Sequence, residues 1–130
     1  MSVIVTLAAA SVAWVAGSLW YMTFARAWLR VSGVELDAQG QPANRSMAPL
    51  LVSGLCLIVV AAMMRYLFGL AGIGGIGRGA LTGAAIGLMI GAPWLVLTNS
   101  YVRRPALLSL IDGGYAVFAC GLIGMILGAL

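Results

Sequence analysis

Four long apolar runs make up most of this chain and limit what it can fold into. Each run is about 20 residues or longer, enough for an α-helix rising 1.5 Å per residue to cross a hydrocarbon layer about 30 Å thick. Charged residues form 8% of the 130 residues, whereas a soluble domain carries about a quarter. The sequence therefore predicts an all-α fold, an integral membrane four-helix bundle.

The predicted helices belong to one transmembrane domain, 1–130. We place them at about 3–25, 48–67, 79–99 and 106–129, separated by a polar loop and two short turns. The first run is too long for a signal-peptide core and has no basic residue ahead of it, so we expect a retained helix. Pro49 lies in the first turn of the second helix, where its missing N–H is tolerated, and Pro93 predicts a kink in the third.

Small residues recur every four positions on the last two helices. The third helix carries Gly79, Gly83, Gly87 and Gly91, and the fourth carries Ala116, Cys120, Gly124 and Gly128 in line with Asp112. Such stripes let helix backbones approach closely, as in a glycine zipper. The alternative is that membrane helices are simply rich in glycine. Cys56 and Cys120 both lie in apolar runs, so we expect free thiols.

The predicted orientation of the protein in the membrane depends on the positions of its arginines. The chain has seven arginines and no lysine. The connections after the first and third helices carry Arg26, Arg30, Arg45, Arg103 and Arg104, while Arg65 and Arg78 belong to the other side. Positive residues favour the cytoplasmic side of a membrane. We therefore expect a multi-pass protein of a bacterial inner membrane with both termini in the periplasm.

One polar layer is expected at the cytoplasmic end. Its candidate residues are Trp20, Tyr21, Asn99, Tyr101, Arg103, Arg104, Asp112 and Tyr115. Asp112 lies about 10 Å along its helix, where a carboxylate is costly unless it is paired, hydrogen-bonded or protonated. Candidate partners are the arginines, including Arg26, the Asn99 amide and the tyrosine hydroxyls. Asp112 is therefore either a clasp between helices or a group that titrates or binds a cation or lipid headgroup.

The composition argues against several classes of function. Histidine and lysine are absent, so the chain lacks the usual general bases, and Ser109 has no group to activate it. A single intramembrane carboxylate gives too few ligands for a metal site. We expect no cofactor, no enzymatic activity and, with so few charges, no nucleic-acid partner.

Several motifs in this chain resemble those of a bacterial membrane family called domain of unknown function 1761. They are Gly17, Trp20 and Tyr21 followed by Phe24 and Trp28, then Asn99 and Tyr101, then Ile111, Asp112, Gly114 and Tyr115, with Gly124 and Gly128 closing the chain. A proline commonly follows the Trp-Tyr pair in that family, whereas Met22 and Thr23 stand here. The resemblance implies four membrane helices and no established activity.

Two functions remain open at this point. The first is a non-enzymatic protein that acts through helix packing in the lipid bilayer, as a homo-oligomer or accessory subunit of a membrane complex. It predicts that Gly87→Leu destroys the assembly and that Asp112→Asn largely preserves it. The alternative is a small permease or channel for a proton, cation or small solute that uses Asp112 as its coupling group.

Overall fold

The computed structural model describes residues 3–43 and 46–130. These residues form five helices: α1 (Val3–Thr23), α2 (Ala25–Val31), α3 (Ala48–Ala71), α4 (Ile76–Tyr101) and α5 (Ala106–Ala129). Within the described part of the chain, α1, α3, α4 and α5 are long and apolar enough to cross a membrane. The prediction of an all-α bundle is confirmed, and the four spans fit a multi-pass membrane protein.

The first predicted helix is divided near its end. α1 stops at Thr23, and the short helix α2 follows Phe24, whose φ of −104° and ψ of 18° depart from helical values. The loop after α2 is held by a bridge between Leu36 and Pro42 and by Asp37, which accepts hydrogen bonds from the backbone N–H groups of residues 39 and 41. Arg45, which entered the orientation argument, lies outside the described residues.

The turn between α3 and α4 is shorter than predicted. α3 continues to Ala71, beyond the expected end near Leu67, and α4 begins at Ile76, before the expected start at Gly79. Gly72 (φ 67°) and Gly75 (φ 93°) reverse the chain in left-handed conformations that suit glycine. The N–H of Gly75 also donates to the carbonyl of Gly128 at 2.8 Å, which joins this turn to the end of α5.

α5 is the central helix of the bundle. It packs against α1, α3 and α4, whereas α3 packs mainly against α1. Within an apolar stretch of 18 residues in each helix, 33% of the residues of α5 are buried, but only 11% of those of α3 and of α4. The buried core is formed by residues from α1, α3 and α5, namely Ala9, Ala10, Ala13, Ala61, Met64, Phe68, Ala119, Ile123 and Leu127.

α4 contains a π-helical segment immediately before Pro93. The segment spans Gly87–Gly91, and the N–H of Ala92 donates to the carbonyl of Gly87, five residues earlier. A proline ring clashes with the carbonyl four residues before it, which here belongs to Met89. The wider π turn relieves that clash inside a continuous helix. The sequence predicted a kink at Pro93 but not this local change of hydrogen bonding.

Candidate functional site

The ends of α1 and α5 form a polar cluster, which we call the α1–α5 cluster: Trp20, Tyr21, Asp112 and Tyr115. The two helices are antiparallel, so the end of α1 lies beside the first turns of α5. Three hydrogen bonds cross between them. Trp20 Nε1 donates to the carbonyl of Ile111 at 3.0 Å, the Tyr21 hydroxyl donates to Asp112 Oδ1 at 2.7 Å, and the Tyr115 hydroxyl donates to the carbonyl of Ala13 at 2.7 Å.

Asp112 is half-buried and is held by a neutral donor. Among the partners considered from the sequence, the Tyr21 hydroxyl is the group that reaches it. The Asn99 amide bonds elsewhere, and the side chains of Arg103 and Arg104 are exposed in the turn before α5. Because one carboxylate oxygen receives a hydrogen bond from the facing helix, the clasp interpretation has a structural basis.

Two glycines make room for this cluster. A Cβ atom on Gly17 would lie 2.6 Å from the Tyr115 hydroxyl oxygen, and one on Gly114 would lie 2.8 Å from Cζ2 of Trp20. Real Cβ atoms do not approach other atoms this closely. Gly17, one turn before the Trp-Tyr pair, and Gly114, within the Asp-x-Gly-Tyr motif, therefore allow the aromatic side chains to cross from one helix to the other.

Aromatic rings surround the hydrogen bonds. Trp20 stacks on Phe118 with ring centroids 5.5 Å apart and an interplanar angle of 24°. Tyr21 meets Tyr115 and Trp28 edge to face, at 5.5 and 5.9 Å. These offset and edge-on arrangements are the favoured ones for aromatic pairs. Phe118 was not singled out from the sequence, and Trp28 entered only among the family motifs. The spacing of seven residues between Tyr21 and Trp28 is the helical signal that links them.

The remaining predicted residues lie outside the α1–α5 cluster. Asn99 Nδ2 donates to Ser109 Oγ at 3.2 Å, which joins the end of α4 to the start of α5. Tyr101 is 83% exposed. Arg103 adopts a left-handed backbone conformation (φ 56°) in the turn, and its N–H donates to the carbonyl of Ser100. The structure thus separates the predicted layer into three parts. They are the α1–α5 cluster, the Asn99–Ser109 pair between α4 and α5, and the exposed turn that carries Arg103 and Arg104, which we call the arginine turn.

The two small-residue stripes face one another within a single chain. A Cβ on Gly79, Gly83 or Gly87 would collide with the backbone carbonyl oxygen of Gly124, Cys120 or Ala116, respectively. Gly128 lies against the Gly75 carbonyl in the same way, and Gly91 is looser, with its Cβ position 3.3 Å from Ala116 Cβ.

The sequence predicted that these stripes pack the bundle and left their spare faces open to a second copy. In the structure, α4 and α5 occupy each other's stripe. The reason is that the short turn between them places both stripes in register, with small residues on both sides. The thiols of Cys56 and Cys120 are free, the first exposed and the second half-buried near Gly83.

The site holds few groups for chemistry. Across residues 3–43 and 46–130, no three His, Cys, Asp or Glu side chains come together in a way that could hold a metal ion. What the cluster offers is one carboxylate, two tyrosine hydroxyls and an indole N–H, each engaged in a hydrogen bond between helices. This arrangement suits helix association or the binding of a small cation.

No curated protein and no solved structure matches the chain. The sequence model of the family described as protein of unknown function (DUF1761) matches residues 4–128. This match confirms the resemblance carried by the Trp-Tyr and Ile-Asp-x-Gly-Tyr motifs. The chain belongs to the DUF1761 family of proteins of unknown function.

Proposed function

We propose that this protein is a non-enzymatic membrane protein that acts through helix packing, as a homo-oligomer or as an accessory subunit of a larger membrane complex. One observation carries the proposal. In the α1–α5 cluster, Trp20, Tyr21 and Tyr115 donate hydrogen bonds across the interface between α1 and α5, and Asp112 accepts one of them. Polar groups that are satisfied in this way rigidify and specify a helix arrangement.

The surface for association lies on α3 and α4. Since the glycine stripes contact each other inside the chain, a partner meets the outer faces of these two helices instead. These faces carry large exposed side chains, with Val59 of α3 68% exposed and Met89 of α4 75% exposed. Helix association in lipid proceeds through van der Waals packing and hydrogen bonds between helices.

We also propose that both termini lie in the periplasm of a bacterial inner membrane. Arg26, Arg30, Arg103 and Arg104 lie beyond the joined ends of α1, α4 and α5. Arg78 is exposed at the opposite end, in the first turn of α4. The excess of arginine at the first end favours the cytoplasm there.

The proposal is tested on the full chain purified in mild detergent. Native mass spectrometry is expected to give a multiple of 13.4 kDa, or one partner at a fixed ratio. In native membranes, mild oxidation tests the α3 face through the exposed Cys56, and a Met89→Cys, Cys56→Ser variant tests the α4 face. A disulfide-linked dimer from one position and not from the other identifies the interface; Cys56→Ser alone is the control.

A single species of 13.4 kDa at every protein concentration, without a stoichiometric partner in purifications from membranes, would overturn the proposal. Gly87→Leu no longer serves as the test of assembly, because Gly87 lies between α4 and α5 of one chain. That substitution would disturb the monomer itself.

A second candidate function is a small permease or channel for a proton, cation or small solute. The observation that favours it is the half-buried carboxylate of Asp112 beside Tyr21, whose ring is flanked by Tyr115 and Trp28. Carboxylates and aromatic faces both attract cations. Flux into proteoliposomes that disappears in Asp112→Asn supports transport, whereas equal flux in the wild type and protein-free liposomes excludes it for the ions tested.

A further inference from the structure

An open groove of about 500 Å³ runs between α4 and α5 toward the arginine turn. On α4 its wall is formed by Leu88, Ala92 and Val96, which recur at four-residue spacing along one helix face. On α5 its wall includes Gly113 and Gly114. The walls of the groove are thus mainly apolar.

The groove exists because α4 and α5 separate as they approach their turn. At Gly79 and Gly83 the backbones are in direct contact, with no room for a methyl group. At Gly91 and Gly113 the nearest neighbours are already side chains, the Cβ atoms of Ala116 and Ala92 at 3.3 and 3.2 Å from the added Cβ. Beyond the π-helical segment the helices are joined through side chains.

The groove changes from apolar to polar along its length. Its end near the turn is lined by Ser100, Ser109 and the exposed Arg104. The nearby acid on α5, Asp112, bonds toward Tyr21 of α1 and does not line the groove. From Leu88 to Ser100 the helix rises roughly 18 Å at 1.5 Å per residue, comparable to one leaflet of a core about 30 Å thick.

We propose that this groove binds an anionic phospholipid, with an acyl chain along α4 and α5 and the headgroup phosphate against the Arg104 guanidinium. The apolar wall matches a hydrocarbon chain in length, and the Arg104 guanidinium at the polar end complements a phosphate. Arg103, the preceding residue, adds positive charge to the same turn. The site lies within one chain and does not depend on the proposed association.

Native mass spectrometry of the full chain, with equal amounts of phosphatidylglycerol and phosphatidylcholine of the same acyl chains, tests this proposal. The wild type is expected to retain more phosphatidylglycerol than phosphatidylcholine. Arg104→Gln is expected to reduce that preference about five-fold, the effect of one arginine at an anionic surface. Arg78→Gln, an exposed arginine at the other end of α4, is the matched control and keeps the preference.

A second pair of variants tests the acyl-chain path. Val96→Trp fills the groove and is expected to lower the retention of both lipids, whereas Val15→Trp, at an exposed position on α1, leaves it unchanged. Equal retention of the two lipids by the wild type would overturn the proposal. So would a loss in Arg78→Gln as large as that in Arg104→Gln, because binding would then follow net charge and not this groove.

Discussion

The Tyr21 hydroxyl donates a hydrogen bond of 2.7 Å to Oδ1 of Asp112, a residue 91 positions later in the chain. This contact joins α1 to α5 at a depth where an unpartnered carboxylate is costly. A second hydrogen bond lies beside it, from Trp20 Nε1 to the Ile111 carbonyl. Together they fix the rotation of α1 relative to α5, because two adjacent residues of α1 bond to two adjacent residues of α5.

Removal of the Tyr21 hydroxyl is expected to destabilise the bundle. Tyr21→Phe leaves Asp112 without this donor, and we expect the free energy of unfolding to fall by about 1–2 kcal/mol. Asp112→Asn retains a carbonyl acceptor and is expected to lose less. The measurement is unfolding by sodium dodecyl sulfate in mixed micelles, followed by circular dichroism. Tyr66→Phe, at an exposed position on α3, is the control, and an equal loss in both phenylalanine variants would contradict the assignment.

Substitution of Gly83 is expected to separate α4 from α5. A methyl group there meets the backbone carbonyl of Cys120, which cannot move without shifting the helix. We expect Gly83→Ala to lower the free energy of unfolding by about 1–3 kcal/mol, as overpacking does. Gly69→Ala is the matched control on α3, since nothing lies within 4 Å of its Cβ position. Unfolding titrations that do not distinguish the two variants would show that the close approach has no energetic role.

Trp14 is expected to hold α3 against α1. Its Nε1 is shared between the carbonyl of Leu50 and Ser53 Oγ, both at 3.1 Å. Trp14→Phe removes the donor, and we expect a loss of about 1 kcal/mol in unfolding free energy. Ser53→Ala removes one of two acceptors and is expected to have a smaller effect. Equal losses in the two variants would mean that Ser53 Oγ alone, and not the Leu50 carbonyl, accepts a stabilising hydrogen bond from Trp14.

The spans were predictable from the sequence because a membrane imposes a length and an apolar composition on each helix. The depth of Asp112 and Asn99 followed from the same reasoning. The rotation of each helix about its own axis was harder to predict from the sequence. Asn99 and Tyr101 share a depth, yet two residues advance a helix by about 200°, so one faces α5 and the other is 83% exposed.

The partner of Asp112 also depended on packing that the sequence does not state. Arginines are suitable partners by charge, but Arg103 and Arg104 lie in an exposed turn. Tyr21 reaches the carboxylate because Gly17 and Gly114 allow α1 and α5 to approach. The same holds for the glycine stripes, whose spacing predicted close packing in the bundle but not which backbone carbonyl each glycine meets.

Gly17 and Tyr115 are expected to be coupled energetically. A Cβ on residue 17 would lie 2.6 Å from the Tyr115 hydroxyl oxygen, so Gly17→Ala displaces the ring and breaks its 2.7 Å hydrogen bond to the Ala13 carbonyl. Tyr115→Phe removes that bond directly, at about 1 kcal/mol. In the double variant the closest atom is gone and the bond is already lost. We therefore expect its loss of unfolding free energy to be smaller than the sum of the two single losses.

The same unfolding titration measures all four members of this cycle. Gly121→Ala provides the control, because its Cβ position makes ordinary contacts, the nearest being Ala84 Cβ at 3.7 Å. Combined with Tyr115→Phe, it is expected to give an additive effect, since the two sites share no partner. Additivity in the Gly17 cycle as well would mean that the tyrosine can move without losing its bond, and the hydroxyl would then contribute little to the joining of α1 and α5.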